Sequence, residues 1–266
     1  MNNIKKQIAK RKLWLLDMDG TLYLENDLFD GCHEFLKWIK DNGGKYMFLT
    51  NNSSKSVDKY VQKLASLGIM AEADDFLTST NATVLFLKGK NHKKIYAFGT
   101  ESFKEQLKDA GLPITDKLEE GIDCLCMGFD TELTFQKLED ACVLLGRGVD
   151  YIATNPDWVC PTSYGYVPDC GSVSEMLYNA TKRRPQFIGK PQPEMALLAM
   201  EKYGYTKDET VIVGDRIYTD IACGINAGIY SALVMSGECD EKTLAESDVK
   251  PTAVFEDINE IRSMGD

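Results

Sequence analysis

Short apolar runs rich in β-forming residues alternate along the chain with segments whose apolar residues recur at helical spacing. The runs predict strands, because β-branched and aromatic side chains favour the pleated, buried surface of a sheet. Predicted strands lie at 12–16, 45–49, 94–98, 123–127, 151–153, 210–213, 230–235 and 253–255. Predicted helices lie at 32–41, 57–67, 80–88, 135–145, 173–181, 193–203 and 217–226. This alternation predicts βαβ units and an α/β fold with mainly parallel sheets.

The segment 154–172 departs from the alternation. It contains three prolines and two glycines and has neither a helical nor a strand period. We therefore expect a long irregular loop at this position. A long ordered loop inside an α/β chain often carries function.

Four polar clusters follow predicted strands or precede predicted helices. They are 17–21 (DMDGT), 50–52 (TNN), 189–191 (GKP) and 214–216 (GDR). Each one alone is typical of an ordinary turn or helix cap. Ligands of open parallel sheets bind outside the carboxyl ends of the strands, so clusters in this arrangement could converge on one edge. The four together favour a common site over four unrelated turns.

The residue types in these clusters fit phosphoryl chemistry. Asp17, Asp19 and Asp215 supply hard oxygen ligands of the kind that Mg²⁺ prefers. A magnesium ion offsets the repulsion between a carboxylate and a phosphate dianion, so that Asp17 can attack phosphorus. Asp19, two residues further on, can protonate the leaving oxygen and later deprotonate water. The pattern therefore predicts a magnesium site with Asp17 as nucleophile and Asp19 as general acid and base.

The remaining clusters offer groups that bind a phosphoryl group. Thr50, Asn51 and Asn52 can donate hydrogen bonds to its oxygens, and Lys190 can supply the positive charge that the transition state needs. Without substrate, the same lysine can restrain the carboxylates. We expect these four residues to bind phosphate.

Together the motifs resemble those of the haloacid dehalogenase superfamily of phosphatases. The nucleophile motif Asp-x-Asp-Gly-Thr is matched at 17–21, the second motif at 50–51, the lysine motif at position 190 and the acidic motif at 214–220. The stretch 214–221 (GDRIYTDI) is similar to class IIA, the branch related to p-nitrophenyl phosphatases and nucleotidases that includes NagD-like proteins.

This resemblance implies roles for individual residues. It makes Asp17 the nucleophile and Asp19 the general acid and base. It implies that Mg²⁺ is held by the Asp17 side chain, the Asp19 main-chain oxygen and Asp215. Asp220 is expected behind the metal, acting through water or through Lys190.

The spacing of the motifs predicts where a cap domain is inserted. Thr50 follows Asp17 by 33 residues, which leaves no room for a cap, whereas Lys190 follows Thr50 by 140 residues. We expect a core at 1–79 and 184–266 and an α/β cap at 80–183. The resemblance implies a Rossmann-like, doubly wound parallel-sheet core with an inserted α/β type-2 cap, and a homodimer through that cap.

The irregular segment 154–172 belongs to the expected cap. By resemblance, a cap loop closes over the phosphate pocket and contacts the leaving group. Asp157, Trp158, Tyr164 and Tyr166 are candidates for contact with the substrate. The alternative is that the three aromatic side chains pack the loop onto the cap.

Composition narrows the expected partners and location. The net charge of −11 disfavours binding to nucleic acids and to anionic membranes, so we expect a small phosphorylated substrate. The eight cysteines form no C-x-x-C pair, which disfavours zinc and redox sites. The sequence has neither a recognisable signal peptide nor an apolar run of membrane-spanning length, so we expect a cytoplasmic protein.

Several other functions share part of this pattern. A phosphotransferase of the same superfamily also uses a residue like Asp19. A non-enzymatic aspartyl-phosphate switch shares the acidic cluster, but such a switch needs no cap. Dehalogenases and phosphonatases lack an acidic residue at the position of Asp19, and an inactive scaffold is disfavoured because every catalytic position is filled. Hydrolysis of sugar phosphates, nucleoside monophosphates or p-nitrophenyl phosphate is the favoured interpretation.

Overall fold

The computed structural model describes residues 2–162 and 164–265, and its strands follow most of the predicted apolar runs. The strands are β1 Leu13–Leu16, β2 Tyr23–Leu24, β3 Asp27–Leu28, β4 Lys45–Thr50, β5 Phe76–Thr78, β6 Ile95–Phe98, β7 Ile114–Thr115, β8 Cys124–Met127, β9 Asp150–Ala153, β10 Val159–Thr162, β11 Gly165–Pro168, β12 Gln186–Phe187, β13 Thr210–Gly214, β14 Tyr230–Val234 and β15 Ala253–Phe255.

The helices connect these strands. They are α1 Asn2–Ile8, α2 Cys32–Asp41, α3 Val57–Ser66, α4 Ser79–Lys88, α5 Glu101–Asp109, α6 Phe135–Gly146, α7 Cys170–Thr181, α8 Glu194–Tyr203, α9 Ala222–Ala227, α10 Glu241–Glu246 and α11 Ile258–Ser263. Short 3₁₀ segments lie at Ala73–Asp75 and Lys207–Glu209. Among helices of the described residues, none combines the length and apolar composition needed to cross a membrane.

The described chain divides into two compact units. The first comprises Val61–Leu77 together with the segments up to Thr50 and from Lys190 onward. The second comprises Asn51–Tyr60 and Thr78–Gly189.

The first unit is built on a sheet with the strand order β15-β14-β13-β1-β4-β5. Strand β1 pairs in parallel with β13 and β4, and β14 pairs in parallel with β13 and β15. Every residue of β1 and β13 is buried, as expected for central parallel strands covered on both faces. Helix α2 packs against β1, where the rings of Phe35 and Trp14 meet edge to face with centroids 5.7 Å apart. The prediction of a parallel α/β fold is confirmed.

The second unit contains a parallel sheet with the order β12-β9-β8-β6-β7. Helices α6 and α7 contribute Ala141, Leu144, Val173 and Leu177 to its apolar core. Tyr96 on β6 is also buried there, and its hydroxyl donates a 2.8 Å hydrogen bond to Asp140 on α6. A buried hydroxyl therefore has a polar partner inside an otherwise apolar core.

The expectation of an irregular loop at 154–172 was wrong. Strands β10 and β11 form an antiparallel hairpin, and α7 begins at Cys170. The prolines in this segment argued against strands in the sequence, because proline cannot donate a backbone hydrogen bond to a neighbouring strand. Each strand of a two-stranded ribbon is an edge, so a proline such as Pro168 can lie in it without leaving a neighbouring strand short of a donor.

The predicted helix at 217–226 also differs from the structure. It begins with a π-helical turn at Ile217–Ile221 and becomes α-helical only from Ala222. The amide of Ile221 donates to the carbonyl of Arg216 at 3.3 Å, five residues earlier. Such wide turns occur frequently at functional sites, and this one contains Asp220.

Candidate active site

Parallel pairing brings two of the predicted motifs to the same edge of the first unit's sheet. Asp17 directly follows β1, and its amide donates a 2.9 Å hydrogen bond to the carbonyl of Val213 on β13. Asp215 directly follows β13. Carboxylate oxygens of Asp17, Asp215 and Asp220 all lie within 4.8 Å of one another. The structure therefore gathers three carboxylates at the carboxyl ends of two adjacent strands.

Lys190 is buried among these carboxylates. Its ammonium donates 2.6 Å hydrogen bonds to Oδ1 of both Asp17 and Asp220, and a longer one of 3.4 Å to the carbonyl of Leu49. Burial alone lowers the pKa of Lys190, but Coulombic attraction to the two carboxylates outweighs it and holds the pKa above its usual range. Lys190 therefore stays charged between the two aspartates.

The acidic cluster carries more negative charge than Lys190 can offset. Burial raises the pKa of Asp17 well above its ordinary value; Lys190 lowers it, and Asp220 and Asp215 raise it further. Burial raises the pKa of Asp215 to about 6, with Asp220 the second cause. A cation bound between these groups would favour their ionised forms.

Asp215 is fixed from several sides. Thr21 Oγ1 donates to its Oδ1 at 3.3 Å, and the amide of Glu238 donates to its Oδ2 at 2.7 Å. The glycines that face it are required by space: a Cβ atom on Gly20 would lie 2.3 Å from Oδ2, and one on Gly237 would lie 2.1 Å from it. Gly20 also has φ +87°, a conformation that favours glycine. The glycine of the Asp-x-Asp-Gly-Thr motif thus leaves room for a carboxylate from another strand.

Asp220 lies on the π-helical turn and is fully buried. Its Oδ1 accepts from Lys190, and its Oδ2 accepts from the amide of Arg216 at 3.1 Å. A Cβ atom on Gly214 would lie 2.3 Å from its Cγ, so the turn folds closely over the end of β13. The structure places Asp220 beside Asp17 and Asp215 as well as against Lys190.

Asp19 lies apart from this buried cluster. Its side chain is 50% exposed, and its Oδ1 lies 3.5 Å from the ammonium of Lys63. That ammonium is also 3.9 Å from the ring centroid of Tyr23, so a cation–π contact holds it over the β2–β3 hairpin. A carboxylate accessible to water is suited to exchanging protons with a substrate or with water.

The residues predicted to bind phosphate fall on both sides of a unit boundary along the chain. Thr50 ends β4 in the first unit, and Asn51 and Asn52 begin the second. Within the second unit, Asn51 Nδ2 donates to Asp157 Oδ1 at 3.2 Å. Asn52 Oδ1 accepts from the amide and hydroxyl of Ser54 at 2.9 and 2.7 Å. The Asn52 side chain therefore also stabilises the local turn.

The four predicted cap contacts have two different environments. Asp157 is buried with Asn51, in a polar cluster where Asn155 Nδ2 also donates to the carbonyl of Asn51 at 2.7 Å. In contrast, Trp158, Tyr164 and Tyr166 on and beside the β10–β11 hairpin are 57%, 81% and 67% exposed. The three rings are available to a ligand, whereas the Asp157 carboxylate is engaged within the second unit.

The sequence did not point to several residues that surround these carboxylates. Lys63 lies on an amphipathic helix that carries no motif, and Glu238 lies in a loop. Thr21 ends the Asp-x-Asp-Gly-Thr motif, but its residue type alone does not indicate that it binds Asp215. Only the first unit's fold brings the three beside Asp19 or Asp215, so a single sequence held no signal for Lys63 and Glu238.

Comparison with known proteins agrees with this arrangement. A family model described as haloacid dehalogenase-like hydrolase matches residues 14–113, and a HAD-hydrolase-like model matches residues 187–261. An acid sugar phosphatase of Staphylococcus haemolyticus is 33% identical over 249 residues, which are 93% of this chain and 94% of that protein. One from Staphylococcus aureus strain MRSA252 is 34% identical and covers 94% and 96%.

Solved structures show the same relationship. The 4-nitrophenylphosphatase of Thermotoga maritima superposes with a TM-score of 0.92 at 38% identity, covering 98% of this chain and 99% of that one. A glycerol phosphate phosphatase of Mycobacterium tuberculosis, solved in complex with magnesium, gives 0.88 at 26% identity and covers 96% and 77%. The chain therefore belongs to the haloacid dehalogenase superfamily, as a phosphatase of the class IIA branch that includes the p-nitrophenyl phosphatases and NagD proteins.

Proposed function

We propose that this protein is a Mg²⁺-dependent phosphomonoester hydrolase in which Asp17 forms a phosphoaspartate intermediate. The observation that carries the proposal is the cluster of Asp17, Asp215 and Asp220, whose carboxylate oxygens lie within 4.8 Å of one another. Lys190 bridges two of them. A carboxylate nucleophile, a cation site and a fixed positive charge are the components that phosphoryl transfer requires.

The donor set fits magnesium. Mg²⁺ binds oxygen ligands octahedrally at about 2.0–2.1 Å, so its ligand oxygens are separated by roughly 3–4 Å. Carboxylate oxygens within 4.8 Å of one another can reach such positions with small side-chain rotations. We propose that the side chains of Asp17 and Asp215 and the main-chain oxygen of Asp19 hold the ion, with Asp220 beside them. When bound, the ion offsets the negative charges of the phosphate and of Asp17.

The chain's own residues then perform two displacements at phosphorus. Asp17 attacks with a carboxylate oxygen; its bond to phosphorus forms as the ester bond breaks, while Asp19 gives its proton to the leaving oxygen. Asp19 then takes a proton from a water molecule that attacks the phosphoaspartate, releasing phosphate and restoring Asp17. Lys190, Thr50, Asn51 and Asn52 are proposed to bind the phosphoryl oxygens during both steps.

We propose small phosphometabolites as the substrates. The relatives' names support this class, because they include an acid sugar phosphatase, a 4-nitrophenylphosphatase and a glycerol phosphate phosphatase. The segment 80–183 is proposed to act as the cap domain that selects among them, with Trp158, Tyr164 and Tyr166 as candidate contacts. All eight cysteines are free thiols, which supports the proposal of a reducing, cytoplasmic location.

A Mg²⁺-dependent phosphate-release screen over sugar phosphates, nucleoside monophosphates and p-nitrophenyl phosphate tests the proposal. We expect activity in the wild type, and a loss of about 10³-fold or more in Asp17→Asn with the fold retained. Asp41→Asn, at an exposed position at the end of α2, is the matched control. Near-wild-type turnover by Asp17→Asn would exclude it as nucleophile. Transfer of the phosphoryl group to an added alcohol in place of water would favour a transferase.

A further inference from the structure

Outside the predicted motifs, the carboxylate of Glu238 is bound by two residues that follow Asp215. The guanidinium Nε of Arg216 lies 2.9 Å from Glu238 Oε2, and the hydroxyl of Tyr218 donates a 2.6 Å hydrogen bond to Oε1. The side chain of Arg216 is only 17% exposed and that of Glu238 33%, so the pair is partly shielded from solvent. Glu238 therefore ties the loop after β14 to the turn after β13.

The backbone of that same loop binds Asp215. The amide of Glu238 donates to Asp215 Oδ2 at 2.7 Å, and the amide of Cys239 donates to the Asp215 carbonyl at 3.2 Å. The loop also approaches Asp215 so closely that a Cβ atom on Gly237 would lie 2.1 Å from Oδ2. The path of the loop thus determines where the Asp215 carboxylate points.

We propose that Glu238 is a positioning residue for the cation site: its side chain, held by Arg216 and Tyr218, fixes the amide that orients Asp215. This inference rests on the proposed function, in which Asp215 is a magnesium ligand. It adds a determinant of metal affinity that lies outside the ligand set.

The physical reason is the geometric demand of magnesium. The ion tolerates little departure from octahedral geometry, so a ligand that is free to rotate binds it less well than one that is fixed. Residues that hold metal ligands in place typically contribute about tenfold to hundredfold to metal affinity. Removing the Glu238 carboxylate releases the loop on the side of Arg216 and Tyr218, so the Asp215 carboxylate loses part of its orientation.

Isothermal calorimetry with MgCl₂ alone, without substrate, measures the effect directly. We expect Glu238→Ala to weaken Mg²⁺ binding by about tenfold to hundredfold, and the Mg²⁺ concentration for half-maximal p-nitrophenyl phosphate hydrolysis to rise in parallel. Glu238→Gln loses the charge that pairs with Arg216 but keeps an oxygen that can accept from Tyr218, so it should weaken binding less. Glu175→Ala is the matched control. Glu175 lies on α7 in the second unit, and its carboxylate likewise accepts from an arginine, Arg184, at 2.5 and 3.1 Å.

A double-variant cycle separates this role from simple destabilisation. If Tyr218 acts on the metal through Glu238, Tyr218→Phe should weaken Mg²⁺ binding in the wild type but add little to Glu238→Ala. Should Glu238→Ala fail to fold, Glu238→Gln and Tyr218→Phe decide the question. A wild-type Mg²⁺ affinity in the folded Glu238 variants of an otherwise active enzyme overturns this inference alone. A wild type that neither binds Mg²⁺ nor releases phosphate overturns the proposed function as well.

Discussion

The ammonium of Lys190 lies 2.6 Å from the carboxylate of Asp17, and the same ammonium is hydrogen-bonded to Asp220. The residue proposed to attack phosphorus is thus held by a buried cation before any substrate is present. The contact links stability to the proposed function, because the charge that offsets the carboxylates of Asp17 and Asp220 is also proposed to bind the phosphoryl group.

Replacing Lys190 by Met should therefore destabilise the protein strongly. The substitution leaves the buried carboxylate of Asp220 and the partly buried carboxylate of Asp17 without their cation, and breaking a buried pair in this way typically costs about 3–5 kcal/mol. Urea unfolding in EDTA measures the loss. Lys37→Met is the matched control: Lys37 pairs with Asp41 on the exposed face of α2, where such pairs contribute about 0–1 kcal/mol. Equal effects of the two substitutions would contradict a structural role for the buried pair.

The exposed carboxylate of Asp19 leads to a prediction about the leaving group. General acid and base catalysis typically contributes about 10²–10⁴-fold, so Asp19→Asn should slow hydrolysis of sugar phosphates by that order. Formation of the phosphoenzyme from p-nitrophenyl phosphate should suffer less, because p-nitrophenolate leaves without a proton. Rapid-quench measurements of phosphoenzyme formation and breakdown distinguish the two steps.

Asp27→Asn is the control for Asp19→Asn, since Asp27 is an exposed aspartate in the β2–β3 hairpin, which follows Asp19 in the chain. It should leave both half-reactions unchanged. An Asp19→Asn enzyme with wild-type rates on alkyl phosphates would remove Asp19 from the proton-transfer role.

The sequence predicted the central strands and the polar residues at their ends, because both signals are local. A buried parallel strand such as β1 or β13 is a continuous apolar run, and the aspartate after it marks where the run stops. The two-residue strands β7 and β12 carry too little local pattern to be found this way. Helix α5 does carry a pattern, with Phe103 and Leu107 buried one turn apart behind a cap at Thr100, and it was not predicted.

The contacts around the site could not be predicted from the sequence, because they join residues far apart in the chain. Asp19 meets Lys63 across 44 residues, and Asn51 meets Asp157 across 106. Nothing local in the sequence marks either pairing. Asp157 is predicted to contact the substrate. The hydrogen bond from Asn51 to its carboxylate is visible only in the folded structure of the second unit.

The raised pKa of Asp215 predicts how stability depends on pH and on magnesium. Burial, with Asp220, raises this pKa from an ordinary 3.8 to about 6. Between these values the folded protein binds more protons than the unfolded chain, so without divalent cations stability should fall as the pH rises from about 4 to about 6. Mg²⁺ competes with the proton, so the part of its stabilising effect that acts through Asp215 should grow over the same range and level off above it.

Thermal melts at a series of pH values, in EDTA and in saturating MgCl₂, measure both trends. Other groups also titrate, so the informative quantity is the difference between wild type and Asp215→Asn. In Asp215→Asn, the contribution of the Asp215 carboxylate to the slope of stability against pH should vanish. Much of the stabilisation by Mg²⁺ should vanish with it. A magnesium effect that is equally large at pH 4 and pH 7 would argue against cation binding at these carboxylates.

In the second unit, two glycine-to-alanine substitutions are expected to change stability in opposite directions, because the backbone approaches one of the glycines closely and not the other. A Cβ atom on Gly171, near the start of α7, would lie 2.1 Å from the carbonyl oxygen of Pro156 and 2.8 Å from that of Asp157. Backbone atoms cannot rotate away, so Gly171→Ala should destabilise the protein by about 1–3 kcal/mol. Gly146 is the last residue of α6, and a Cβ atom added there would meet none of the atoms that the structure describes within 4 Å, apart from its chain neighbours and its own helix backbone. Gly146→Ala should stabilise by about 0.4–1 kcal/mol, because alanine restricts the unfolded chain.

Urea unfolding of both variants checks these signs, and steady-state kinetics adds a second comparison. The carbonyls that Gly171→Ala displaces belong to the segment that carries Asp157, the hydrogen-bond partner of Asn51. If Asn51 binds phosphate as proposed, Gly171→Ala should raise the KM for p-nitrophenyl phosphate, and Gly146→Ala should leave it unchanged. A Gly171→Ala enzyme that is destabilised but has a wild-type KM would contradict the second expectation. The Pro156–Asp157 segment would then support the fold of the second unit without influencing how Asn51 binds the substrate.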